Sequence, residues 1–110
     1  MSDYSIMIVD YSDFARKLTT ELLTNVGYSV VTARNGIDAI LHADFHTVNI
    51  IIMALEMPFL NGFDTAHIIR NHLAMLDYPI LIGFTSNAMC IEKAEQSGMD
   101  DIRSYTLHST

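Results

Sequence analysis

The chain has 110 residues, half of them hydrophobic and only 17% charged, with a formal net charge of −7. That length holds one domain, residues 1–110, with one core, and the apolar share excludes a disordered chain, which needs low hydrophobicity and high charge. The six basic residues, Arg16, Lys17, Arg34, Arg70, Lys93 and Arg103, form no stripe, so nucleic acid is not an expected partner.

Residues 6–9 are a compact apolar run that reads as a strand and ends at Asp10. Ser12 or Asp13 can cap the helix that follows. Within it Phe14, Leu18 and Leu22 recur at a spacing of four, with Leu23 and Val26 widening the stripe, and Gly27 suits the position just past its end. Residues 28–33, rich in valine, read as a second strand. Asn35-Gly36 is a turn signal, and residues 37–44 form a short helix. Residues 48–53, VNIIIM, are the most β-like run. Pro58 and Asn61-Gly62 mark a loop before a helix over 63–73, with Ala66, Ile69 and Leu73 on one side. Residues 79–84, PILIGF, read as a fourth strand. A fourth helix over 88–96 is stopped by Ser97-Gly98, and 102–107 is a weak fifth strand.

Strands alternating with helices of this length predict an α/β fold with a parallel sheet built from right-handed crossovers. In such sheets chemistry collects at the carboxyl ends of the strands. Cys90 is the only cysteine, so an internal disulfide and a Cys-rich zinc site are excluded. The first five residues carry no basic region ahead of an apolar stretch, and no apolar run reaches the ~18 residues of a spanning helix. A cytoplasmic location without membrane contact is expected. The seven methionines are scattered and read as core filler. His42 and His46, with Asp44 between them, have a helical ligand spacing but no evident third ligand, and read as surface histidines. His67 and His72 do not share a helix face.

Four segments carry a resemblance. IMIVDYSDFARK, MALEMPFLNGFD, ILIGFTSNAM and EQSGMDDIRSY, in this order and spacing, resemble the receiver domain of two-component response regulators, from Tyr4 to about Leu107. The resemblance implies a flavodoxin-like, doubly wound, five-stranded parallel sheet of order 2-1-3-4-5. It also implies a phosphorelay role. A receiver moves a phosphoryl group from a histidine onto an aspartate after the third strand. It uses an acidic pair after the first strand to hold Mg²⁺, a hydroxyl after the fourth and a lysine after the fifth.

This chain departs from that pattern. The acceptor position is Ala54, and a methyl group cannot accept phosphate. The acidic pair is Asp10 followed by Tyr11, so one metal carboxylate is lost. The lysine position is Tyr105, followed by Thr106 where proline is usual. The switch-aromatic position is Ile102. Asp10 and the hydroxyl of Thr85 remain. The expectation is a degenerate receiver: not an enzyme, with no catalytic residue, no cofactor, and Mg²⁺ binding lost or very weak. It would act as a phosphorylation-independent interaction module for a histidine kinase, a phosphotransfer protein or another regulator.

Other readings stand beside this one. A small-ligand sensor at the strand C-termini would use Asp10, Tyr11, Thr85 and Tyr105, and Asp10 could be a substitute acceptor. An engineered Asp-to-Ala change would explain Ala54, although Tyr11 and Tyr105 then need a separate cause. More simply, Asp10 is a hydrogen-bonded loop carboxylate, Thr85 caps the turn into the next helix, and Tyr11 and Tyr105 fill the space left by the missing groups. Receivers close with a fifth helix beside the first, and only three residues follow Leu107. The final helix is therefore expected to be missing or truncated. That leaves the face of Phe14, Leu18 and Leu22 for a partner, a homodimer or segment exchange, unless the fifth strand rearranges to cover it.

Overall fold

The computed structural model describes residues 4–42, 45–71, 79–86 and 98–104, and of His46 the backbone only. The order is β1 (Ser5–Val9), α1 (Asp13–Asn25), β2 (Ser29–Ala33), α2 (Gly36–His42), a 3₁₀ turn (Phe45–Thr47), β3 (Ile50–Ala54), α3 (Gly62–Asn71), β4 (Ile80–Thr85) and β5 (Asp101–Ser104). The five strands form one parallel sheet of order β2-β1-β3-β4-β5, the expected doubly wound topology. The helix expected over 88–96 and everything after Ser104, including the final-helix question, lie outside the described residues.

In β3 and β4 burial follows the two-residue period of the pleat, whereas β1 is buried from Ile6 to Val9. Ile51, Met53 and Leu81 are fully buried on the face covered by α2 and α3, where Ala66 and Ile69 meet them. Their neighbours Ile50, Ile52 and Ile82 point the other way and are only half-buried. That second face carries α1, which contains no fully buried residue. Phe14, Leu18 and Leu22 are 77%, 45% and 60% exposed, so the apolar stripe of α1 is open to solvent along much of its length.

The helix ends have local causes. Ser12 is the N-cap of α1, and its hydroxyl accepts from the Ala15 amide at 3.1 Å. At the other end the Tyr28 amide bonds the Leu23 carbonyl and the Gly27 amide bonds that of Thr24. This paired closure needs a left-handed residue, and Gly27 has φ 103°. The two Asn-Gly pairs are caps rather than free turns. The side-chain oxygens of Asn35 and Asn61 accept from the amides of Asp38 and Asp64, at 2.7 and 2.9 Å, and so start α2 and α3. The helices accordingly begin one residue earlier than expected, at Gly36 and Gly62. A side chain at Gly62 would meet the Ala54 carbonyl oxygen at 2.7 Å, so this glycine lets α3 start directly against the end of β3. Removing a cap hydroxyl costs about 1 kcal/mol. Ser12→Ala is expected to lower stability by that amount in urea titration, with an unchanged denaturant slope.

The third strand begins two residues later, and ends one residue later, than the β-rich run suggests. Val48 closes the 3₁₀ turn, its amide bonding the Phe45 carbonyl at 3.3 Å. Asn49 ties three strands at their starts: its side chain accepts from the Ser5 amide, its amide donates to the Ser5 carbonyl, and its carbonyl accepts from the Ile80 amide. The fourth strand is likewise offset by one, reaching Thr85. At the far edge the Arg70 guanidinium, almost fully buried, bonds the Gly98 carbonyl at 2.9 Å and the Asp100 carboxylate at 2.7 Å. These bonds join the end of α3 to the entry of β5.

Candidate functional site

The carboxyl ends of β1, β3 and β4 bring the expected site residues together. Val9 pairs with Met53 and Ala54 with Phe84, so Asp10 follows directly beside Ala54, with Thr85 one residue beyond Phe84. Asp10 is a hydrogen-bonded loop carboxylate. Its Oδ1 accepts from the Ser12 amide at 3.0 Å, and its amide donates to the Ala33 carbonyl at 3.1 Å. Its carbonyl accepts from Arg16 Nη1 at 2.8 Å, and the same guanidinium pairs with Asp13. The carboxylate is thus engaged in shaping the turn into α1. Ala54, Asp10, Ile52, Phe84 and Leu23 line a small, mainly apolar hollow of about 140 Å³ between α1 and the sheet.

Thr85 is fully buried, but it is not simply a turn cap. Its hydroxyl donates to Glu56 Oε2 at 2.7 Å. The other oxygen of Glu56 accepts from the Ser86 amide at 3.1 Å and the Ser86 hydroxyl at 3.2 Å. Sequence reasoning missed Glu56, which is two residues past β3 and reads in isolation as a solvated loop carboxylate. Its partners lie 29 and 30 residues away.

Tyr11 does not fill the space beside Ala54. It is 57% exposed and borders a separate hollow of about 350 Å³ with Asp13, Arg34, Asn35 and Phe59. The bend held by Asp10 and Ser12 leaves the ring at the rim, where its hydroxyl can be hydrated. Asp10 and Tyr11 therefore border different hollows, and Thr85 is engaged by Glu56. Phe59 was also missed. It is 81% exposed and has φ 71°, a left-handed backbone that a non-glycine residue adopts at a cost of roughly 1–2 kcal/mol.

Ile102 of β5 pairs with Gly83 of β4 and is buried in the core cluster with Leu81 and Met99. Tyr105, Thr106, Asp44, His72, Cys90 and Lys93 lie outside the described residues. His42 Nε2 is 3.8 Å from Asp38 Oδ1 at the surface. Among the described residues no group of three or more His, Cys, Asp or Glu side chains converges on one point, and no helix is long and apolar enough to cross a membrane.

The family model of the response regulator receiver domain matches residues 6–104. Among curated proteins, the chain is 30% identical over 98 residues to the CAI-1 autoinducer sensor kinase/phosphatase CqsS of Vibrio cholerae, which covers 87% of this chain. The chain spans only 14% of the length of that relative. Among solved structures, it superimposes on the chemotaxis protein CheY4 of Vibrio cholerae with a TM-score of 0.85 at 20% identity, covering 97% of this chain and 90% of that one. It also superimposes on a co-crystal structure from Saccharomyces cerevisiae, with a TM-score of 0.84 at 22% identity, covering 96% and 81% of the two chains. That crystal holds the histidine phosphotransfer protein Ypd1 and the receiver domain of its downstream response regulator Ssk1. With the family model matched over almost the whole sheet and the strand order in agreement, this chain belongs to the response regulator receiver domain family.

Proposed function

We propose that this receiver takes part in phosphorelay signalling through protein contact and not by carrying a phosphoryl group. The observation that carries the reading is Ala54: a methyl group ends β3 beside Asp10, where the family's reaction needs a nucleophilic oxygen. Losing a nucleophile alone costs a factor of about 10⁴ or more. Asp10 is a poor substitute, because its Oδ1 already accepts from the Ser12 amide and in-line attack demands a positioned, free carboxylate.

The donor set does not fit Mg²⁺ either. That ion needs hard oxygen ligands in near-octahedral array. Here Asp10 stands next to a methyl group, Tyr11 is turned to the rim, and Glu56 is drawn to Thr85 and Ser86. On this reading the chain is not an enzyme, needs no cofactor and works in the cytoplasm as a degenerate receiver. The class of partner follows from the likeness to the Ssk1 receiver, which is crystallised with a histidine phosphotransfer protein: a phosphotransfer protein, a histidine kinase or another regulator. The exposed Phe14, Leu18 and Leu22 of α1 offer apolar area for such a contact, or for a second copy of the chain.

The test is incubation of the chain with acetyl phosphate and Mg²⁺ followed by intact mass spectrometry. The expected spectrum is that of the unmodified chain. A gain of one phosphoryl group would overturn the reading.

A further inference from the structure

We propose that Glu56 is a tethered anion that latches the carboxyl end of β4 in a single conformation. A carboxylate offers two oxygens and about four acceptor sites, and both oxygens are used here. Oε2 takes the Thr85 hydroxyl at 2.7 Å, and Oε1 takes the amide and hydroxyl of Ser86. Bonds to an ionised acceptor are shorter and stronger than neutral ones, and a hydroxyl as buried as that of Thr85 is costly to leave without an acceptor. The bonds join the loop after β3 to the end of β4, segments that backbone pairing already holds together at Leu55 and Phe84.

The loop itself calls for such a clamp. Pro58 fixes one backbone angle, and Phe59 beyond it is held left-handed. Strain of that kind persists only where the surroundings over-determine it. Glu56 anchors the loop three residues before Phe59, and the Gly62 amide, bonded to the Leu55 carbonyl at 2.9 Å, anchors it after. The latch also occupies the donors at the end of β4 that could otherwise receive an external oxyanion. It rests on the reading that no phosphoryl group is carried here, and it adds that the β4 end is set from within the chain.

The experiment is NMR on the full chain, measuring relaxation dispersion and amide hydrogen exchange at Thr85 and Ser86. The native chain should show flat dispersion and a protected Ser86 amide, unchanged by inorganic phosphate or beryllofluoride. E56A should introduce dispersion and speed exchange of the Ser86 amide about ten- to hundred-fold, the range for losing a hydrogen bond to a charged group. E56D keeps the charge but shortens the reach and should behave like E56A. E56Q keeps the length and one acceptor and should fall between. Amides of Ile51 and Leu81 report that the core is intact, and if E56A disturbs them, E56Q decides. Dispersion already present in the native chain, native-like exchange in E56A or E56D, or a shift of the Ser86 amide with either anion would each overturn the latch. Phosphoryl gain in the mass experiment would instead remove the reading beneath it, so the two failures are distinguishable.

Discussion

Asp100→Ala is expected to lower stability by about 2–3 kcal/mol, more than Arg70→Met. Breaking a buried pair by removing one partner costs about 3–5 kcal/mol, because the remaining charge is left uncompensated. The Arg70 side chain is 6% exposed and that of Asp100 48%, so solvent reaches the carboxylate and the figure is discounted. In Asp100→Ala the guanidinium keeps its bond to the Gly98 carbonyl but loses the buried ion pair with the Asp100 carboxylate. The Leu81 amide also loses the Asp100 oxygen that it bonds at 2.8 Å. Arg70→Met removes the buried charge together with its desolvation, keeps most of the apolar stem and leaves Asp100 its bond to Leu81. Its cost is about 1 kcal/mol. Urea titration of both single variants and of the double variant checks this. The double variant should cost less than the sum, since the residues act as a unit. Equal or reversed single costs would mean that Asp100 acts by shaping the entry to β5 and not by neutralising Arg70.

The strands were legible because a buried parallel sheet writes itself as short apolar runs, and their order followed from the family resemblance. Boundaries were less so. Asn35-Gly36 and Asn61-Gly62 have the composition of turns, yet both asparagines accept a helical amide. An asparagine side chain serves a turn and an N-cap by the same hydrogen bond, so the dipeptide alone does not separate them. Val48 belongs by composition to a strand, but the side chain and backbone of Asn49 fix where pairing begins. At the site, Asp10, Ala54 and Thr85 were legible because each directly ends or follows a strand. Tyr11 was misplaced because burial was inferred from its size, whereas the bend closed by Ser12 decides its direction. Glu56 and Phe59 were invisible for different reasons. A long-range carboxylate contact leaves no periodic trace, and a left-handed backbone under a phenylalanine runs against the residue preference by which such positions are recognised.

Restoring the carboxylate alone should not restore chemistry. The A54D variant, treated with acetyl phosphate and Mg²⁺, is expected to gain no phosphoryl group by intact mass. The triple variant Y11D/A54D/Y105K is expected to gain one, and EDTA should prevent it. A nucleophile is worth about 10⁴ or more, but an anionic carboxylate attacks an anionic phosphoryl donor only where positive charge offsets the repulsion. In A54D the new carboxylate would sit beside Asp10 with Tyr11 at the rim, and two carboxylates make a weak site for an ion that favours several hard oxygens. Y11D adds the third oxygen donor, and Y105K adds the cation that the family pattern places after the fifth strand. Labelling of A54D alone would mean that Tyr11 and Tyr105 do not disable the site and that Ala54 is the whole of the difference. Labelling of neither variant would point beyond these three positions to Glu56, whose hold on the hydroxyl of Thr85 an incoming phosphoryl group has to displace. Adding E56A to the triple variant should then release labelling.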